Sequence, residues 1–343
     1  MLDIRTIALL CNALIFKDRP LYVHYGITHR CNVRCRMCRI YRDADRRNEL
    51  SLKQIERIFD FLKRLGIIYV SIGGGEPFLR EDLCDVVALF RRKGLMVRLL
   101  TNGALADADS IKRLVSAGLR DVSISLDTLE PEKQDYIYDC KGAFDKIMES
   151  MDLFSELVPK NGRILLINTV VSPLNIRELP QLANMAQRKG FYISFIPVEN
   201  NGLPEFTFTP ESHRWIDESY ECLIGMKKGG RNSIFNSLLF LQKSKQYLKT
   251  GQCNWECDAG KLYFSINPEG GLSICHRFKP EISLLEDGHE RFLNSEKFKD
   301  KCRDLAGNCP GCMRPCWAEI SFLLKDRQTF WDMMKIKSRR RAI

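Results

Sequence analysis

Four times between residues 51 and 197 the same order recurs: an amphipathic helical pattern, a single glycine, then a short β-branched run. The glycines are Gly66, Gly94, Gly118 and Gly190, each placed where a helix ends in the left-handed conformation that other residues avoid. This recurrence predicts βα units around a parallel sheet. Helical patterns cover residues 51–65, 82–93, 106–117, 143–157 and 176–189, with Ser51 as the N-cap of the first. Strands are predicted at 21–27, 67–72, 96–100, 121–126, 163–171 and 192–197. Six such units without a GxGxxG fingerprint argue for α/β architecture of the partial (βα)6, TIM-type barrel kind, whose functional groups gather at the carboxyl ends of the strands.

At 343 residues and 45% hydrophobic composition the chain has room for one large domain and a smaller one. The barrel is expected over 21–198, a helical linker over 199–250, a small cysteine-rich module over 251–320 and a basic helix over 321–343. Residues 4–16 read as an amphipathic helix within an N-terminal segment, 1–20. Leu10 before Cys11 and the lack of a small-x-small cleavage site argue against a lipoprotein or secretory signal. No run reaches the roughly 20 apolar residues of a membrane span, so a cytoplasmic protein is expected, with surface association by that helix as the minor alternative. The net charge of +10 is dispersed except at Arg339, Arg340 and Arg341 and around the first cysteines, at Arg34, Arg36, Arg39 and Arg42. Arginines interleaved with cysteines would stabilise thiolates. No aromatic-plus-basic module or helix-turn-helix accompanies the charge, so nucleic acid is not an expected partner.

Fourteen cysteines would suit a disulfide scaffold only in a small secreted domain. Their grouping points to metal instead. Cys31, Cys35 and Cys38 form CxxxCxxC just after the first strand; Cys253, Cys257, Cys275, Cys302, Cys309, Cys312 and Cys316 form a second group. Three close thiolates can hold three irons of a 4Fe-4S cubane and leave the fourth open. S-adenosylmethionine (SAM) can chelate that iron through its amino and carboxylate groups. Zinc is the competing reading, although it normally takes four ligands in two pairs. The segment Gly73-Gly74-Gly75-Glu76-Pro77 follows the second strand and so falls on the same rim as the first cysteines.

With Thr28-His29-Arg30 before Cys31 and Asn32 after it, residues from about 20 to 200 resemble the radical SAM superfamily. The resemblance implies a SAM-binding cluster on Cys31, Cys35 and Cys38, fed electrons by a reductant such as flavodoxin or ferredoxin. It implies that backbone groups of Gly73, Gly74, Gly75, Glu76 and Pro77 bind the SAM amino group, glycine permitting close approach. Asn102, in Thr101-Asn102-Gly103 after the third strand, extends the pocket, and Ser125 and Asn168 would contact the SAM carboxylate or ribose, with Asp127 beside them. Met37 stands where the family usually has an aromatic next to the adenine; its thioether can still pack on a ring.

Cys257, Ala259-Gly260, the stretch Phe264 to Gly271 and Cys275, followed by Cys309, Cys312 and Cys316, resemble the SPASM and twitch extensions of that superfamily. These imply one or two auxiliary 4Fe-4S clusters. A zinc ribbon remains the alternative for this region. The spacing departs from the full SPASM pattern, with Cys302 before Cys309 and no cysteine after Cys316, and the seven thiolates could complete one four-cysteine cluster with three to spare or bind two clusters with an exogenous or missing ligand. Cys140, beyond the fourth strand, is a candidate hydrogen donor, or inert filler. The resemblance implies hydrogen abstraction from a peptide or small-metabolite substrate. An N-terminal leader-binding domain is not expected, since residues 1–20 alone precede the first strand. The alternatives are a cofactor- or lipid-biosynthetic enzyme and a non-catalytic zinc or iron-sulfur scaffold.

Overall fold

A computed structural model describes residues 20–38, 49–199, 202–230 and 233–332. The helix expected at 4–16, Cys11, Arg39, Arg42 and the three terminal arginines lie outside the described residues. Strands β1 (Tyr22–Thr28), β2 (Tyr69–Gly74), β3 (Met96–Thr101), β4 (Asp121–Ser125), β5 (Ile164–Val171) and β6 (Tyr192–Pro197) appear where the sequence places them. Helices α1 (Leu52–Leu65), α2 (Leu83–Arg92) and α3 (Ala108–Ser116) follow β1, β2 and β3. Ser51 closes a capping box with Gln54, and Gly66, at φ 114°, takes the left-handed stop of α1.

Helix α4 (Pro131–Tyr138) was not legible as a helical pattern. It is short and carries no clean apolar stripe, burying Gln134, Ile137 and Tyr138. The signal available was Pro131 at its first turn, where a missing N–H costs nothing. Helices α5 (Ala143–Leu157) and α6 (Leu179–Arg188) complete the units. The helices pack outside the sheet, with Phe59 of α1 and Phe90 of α2 4.1 Å apart between ring centroids and Tyr25 of β1 against both.

Strands β1 to β6 are parallel and in sequence order, and the sheet continues beyond β1 into β7 (Tyr263–Ile266), β8 (Gly271–Ser273) and β9 (Ile282–Ser283). β7 pairs in parallel with β1, Tyr22 opposite Tyr263 and Tyr25 opposite Ile266, while β8 and β9 return antiparallel. The cysteine-rich module is thus hydrogen-bonded into the barrel sheet.

The residues between barrel and module form helices α7 (His213–Lys228) and α8 (Leu238–Thr250). Between them Ser233 to Asn236 runs along the free edge of β6: Ile193 donates to Ser233 O at 2.7 Å, Phe235 donates to Ile193 O at 2.7 Å, and Phe195 N–H reaches Asn236 Oδ1 at 2.7 Å. Beyond the short α9 (His289–Leu293) and α10 (Glu296–Gly307), α11 (Pro315–Lys325) spans the gap between the two barrel edges. On the β6 side its Glu319 accepts from Ser237 N at 2.8 Å. On the β1 side Trp317 stacks on Tyr263 at 4.6 Å and meets Tyr22 edge-on at 5.6 Å. Among the described residues no helix is long and apolar enough to cross a membrane.

Truncating Trp317, 2% exposed, would empty the seam between the edges. Trp317→Ala is expected to cost about 3–5 kcal/mol, read as a lowered denaturation midpoint. Glu319 supplies a pH dependence. Burial pushes its carboxyl up to about 7, against the pull of Ser237, Lys227 and Asn236. The folded chain therefore holds a proton that an unfolded glutamate, titrating near about 4.3, releases. The stabilisation from that proton is full below the unfolded value and is lost as pH rises through about 7. Glu319→Gln should flatten thermal stability across this window.

Candidate active site

The carboxyl ends of β1, β2 and β3 converge through one loop. Gly75 N donates to Thr28 O and Glu76 N to Arg30 O, both at 2.7 Å, laying the glycine segment directly against the chain that enters Cys31. A Cβ on Gly75 would overlap the Arg30 carbonyl, and one on Gly74, at φ 110°, would sit 2.5 Å from Thr28 O. These glycines are required by the protein's own backbone, a reason additional to the close approach of a ligand.

Glu76 is fully buried. Its Oε1 accepts from Thr101 Oγ1 at 2.8 Å and Phe78 N at 3.2 Å, and its Oε2 from Asn102 N at 2.8 Å. Burial pushes this carboxyl up to about 7, opposed by those hydrogen bonds. Asn102 passes the connection on: its Nδ2 donates to Asn32 Oδ1 at 2.8 Å and lies 3.9 Å from Cys31 Sγ.

The cysteine loop is pinned from its other side by the unforeseen α4. Arg34 N donates to Tyr138 O at 3.1 Å and Arg36 N to Ile137 O at 2.9 Å. The side chain of Arg36 stacks over Tyr136 at 4.1 Å and donates to Tyr136 O, so it braces α4 and is not turned to the thiols as the interleaving of arginines suggested. Burial raises the Cys35 thiol well above its ordinary value, and the charges of Cys38, Asp127 and Cys31 raise it further. Burial likewise raises Cys31, with Glu76 and Cys38 adding to it. Two desolvated thiols, Cys31 and Cys35, with the Cys38 sulfur acting on both, fit a donor set meant for a cationic iron-sulfur core. Met37 is half-buried against the core beside them.

Ser125, the last residue of β4, and Asn168, within β5, are direct cross-strand neighbours, both half-buried, which brings these two pocket candidates together. Asp127 is occupied within the fold: its Oδ1 accepts from Val170 N at 2.7 Å while its own N–H is held by Gln134. Pro77 is buried at the start of a short 3-10 turn. Cys140 lies in the turn between α4 and α5, half-buried against the core.

In the second group, Cys275 is raised to about 12 by burial and by Cys312, Cys257 and Cys309; Cys312 and Cys309 act on Cys253, and Cys312 and Cys275 on Cys316. Cys302 keeps different company. It sits on α10 with its sulfur against Gly260, and the strongest charges on it are Glu281, Lys261, Arg303 and Lys301. By these influences Cys253, Cys257, Cys275, Cys309, Cys312 and Cys316 group together, while Cys302 has other leading neighbours. Among the described residues no three Cys, His, Asp or Glu converge on a point as ligands of a single ion would. A cubane, with an iron at each of four corners, takes its thiolates from a wider frame.

Sequence reasoning missed a polar group between the barrel and this module. Arg314 Nε pairs with Glu199 Oε1 at 2.6 Å, and Arg277 and His276 approach the same carboxylate at 3.9 Å. Glu199 lies just beyond β6, so its pairing with residues more than seventy positions away had no local signature. Burial lowers His24, on β1, to about 4, and Arg314 lowers it further.

The family model for the radical SAM superfamily matches residues 25–186. The mycofactocin maturase MftC of Mycobacterium tuberculosis is 28% identical over 307 residues, 86% of this chain and 76% of the relative. The antilisterial bacteriocin subtilosin biosynthesis protein AlbA of Bacillus subtilis is 26% identical over 318 residues, covering 85% of this chain and 67% of AlbA. The crystal structure of Streptococcus suis SuiB bound to S-adenosylmethionine shares the fold, with a TM-score of 0.65 at 16% identity over 94% of this chain and 79% of SuiB.

Glu76→Gln would turn an amide N–H₂ toward groups that already donate. We expect SAM affinity to fall about tenfold, about 1.4 kcal/mol, in a binding titration of the reconstituted protein, with the barrel still folded by circular dichroism.

Proposed function

The chain is a radical SAM superfamily enzyme, and on that premise we propose that it is a peptide maturase carrying at least one auxiliary 4Fe-4S cluster. The observation that carries this reading is the joining of the two cysteine groups to one sheet: Cys31 follows β1, and the second group flanks β7 and β8, which extend the same sheet from β1. Relatives that align with most of this chain include MftC, named as a mycofactocin maturase, and AlbA, named for bacteriocin biosynthesis. They support a peptide in preference to a small metabolite.

Cys31, Cys35 and Cys38 would hold the SAM-binding cluster, which supplies one electron to cleave SAM into methionine and a 5′-deoxyadenosyl radical able to abstract hydrogen. The chain's own contribution is placement. Gly73 to Pro77 offers backbone groups at the strand ends, Glu76 and Asn102 keep that segment and the cysteine loop in register, and Ser125 with Asn168 presents hydroxyl and amide groups to the polar parts of SAM. A substrate over the barrel mouth then needs to lie within a few Å of the SAM 5′ carbon. Electrons would come from a flavodoxin- or ferredoxin-type reductant in the cytoplasm. Cys140, in its turn next to α4, is the reserve candidate for hydrogen donation.

Anaerobic incubation with SAM and dithionite should yield 5′-deoxyadenosine well above a Cys35→Ala control; equal yields would defeat the assignment of this loop. A mass change in a short peptide encoded beside the gene would support the peptide reading, and turnover of a metabolite alone would replace it. Reconstituted protein should carry about eight irons per chain or more, about four for each cluster. Cys312→Ser should lose about four of them and Cys302→Ser none. Stoichiometric zinc in their place would overturn the auxiliary cluster.

A further inference from the structure

One buried phenol touches the second cysteine group. Tyr263 of β7 has no exposed surface, and its hydroxyl lies 3.0 Å from Cys257 Sγ. The ring cannot swing away easily. It stacks on Trp317 at 4.6 Å, its backbone is opposite Tyr22 in the sheet, and Trp317 is itself held edge-on by Tyr22. A cysteine that ligates iron is a thiolate, with no proton to give. The contact then has one polarity: the phenol donates and the sulfur accepts.

Hydrogen bonds to ligand sulfurs are among the factors that set a cluster's reduction potential. A donor stabilises the state with more negative charge, and reduction adds one electron to the cluster. We propose that Tyr263 is a positioning residue for the auxiliary cluster, donating its phenolic hydrogen to Cys257 and thereby raising the potential at which that cluster accepts an electron. The inference rests on the auxiliary-cluster reading above and deepens it, since a raised potential suits a cluster that takes electrons from the substrate side. It concerns one hydroxyl, and Tyr263→Phe removes that group while keeping the ring between Cys257 and Trp317.

The test uses the full-length chain carrying Cys31→Ala, Cys35→Ala and Cys38→Ala, so that any remaining iron belongs to the second group. Dithionite titration followed by electron paramagnetic resonance reads the midpoint potential. Tyr263→Phe is expected to lower it, making reduction about tenfold less favourable, about 59 mV for one electron, with iron content retained. Replacing Tyr263 by 3-fluorotyrosine, a stronger donor of nearly the same shape, should shift it the opposite way. Tyr220→Phe, at a buried phenol on α7 remote from β7 in sequence, should leave it unchanged. Full iron content with the same potential in all three would overturn the role of Tyr263 alone. A background chain that binds no iron would overturn the auxiliary cluster and this inference together.

Discussion

The buried carboxylate of Glu76 is the joint on which the rest of the site depends. Among the described residues no charged group pairs with it; what holds it is a ring of donors from its own turn and from the end of β3. Removing a carboxylate from water without compensation is costly, so those donors must be in place for the chain to fold this way at all. Once they are, the backbone of Gly75 and Glu76 is fixed against Thr28 and Arg30, and Asn102 is fixed against Asn32. Three strand ends separated by some seventy residues become one rigid platform. The cysteine loop inherits its position from that platform.

The second constraint is lateral. A six-stranded parallel sheet that curls without closing leaves two edges with unpaired backbone groups, which are a liability in water and in aggregation. This protein covers both. β7 adds to the β1 edge, the Ser233 to Asn236 run covers β6, and α11 bridges them with Trp317 on one side and Glu319 on the other. One of the elements that close the barrel, α11, carries Cys316, and Cys312 lies in the turn just before it. Stability and the placement of the second cysteine group thus have a common origin, and loosening the closure would disturb both.

Electrostatics follows from this layout. Arg314 and Arg277 converge on Glu199, and their charges also bear on Cys312. Placing guanidinium groups beside gathered thiols offsets negative charge in a poorly hydrated region, where it is felt most strongly. Around Cys31 and Cys35 burial leads, with Glu76, Asp127 and neighbouring thiols adding to it and the Val33 backbone opposing it at Cys31; no arginine is among the leading influences there, as Arg314 is at Cys316.

Much of the barrel was readable from residue order alone. Helix, glycine and strand recur because a glycine stop and a parallel strand are local necessities, and local necessities leave local marks; hence β1 to β6 and the left-handed glycines lie where the sequence places them. The CxxxCxxC spacing was equally local, being set by one loop. Helix α4 escaped because its role is to brace the cysteine loop through backbone contacts, which need no apolar stripe. Distances between remote segments were decided only by tertiary structure. Asp127 accepts from Val170 while its charge also bears on Cys35, Arg36 braces Tyr136, and Cys302 has Gly260 and Glu281 as neighbours. In each case the side chain's type was legible, while its partner was chosen by the packing of strands and helices that no short window of sequence contains.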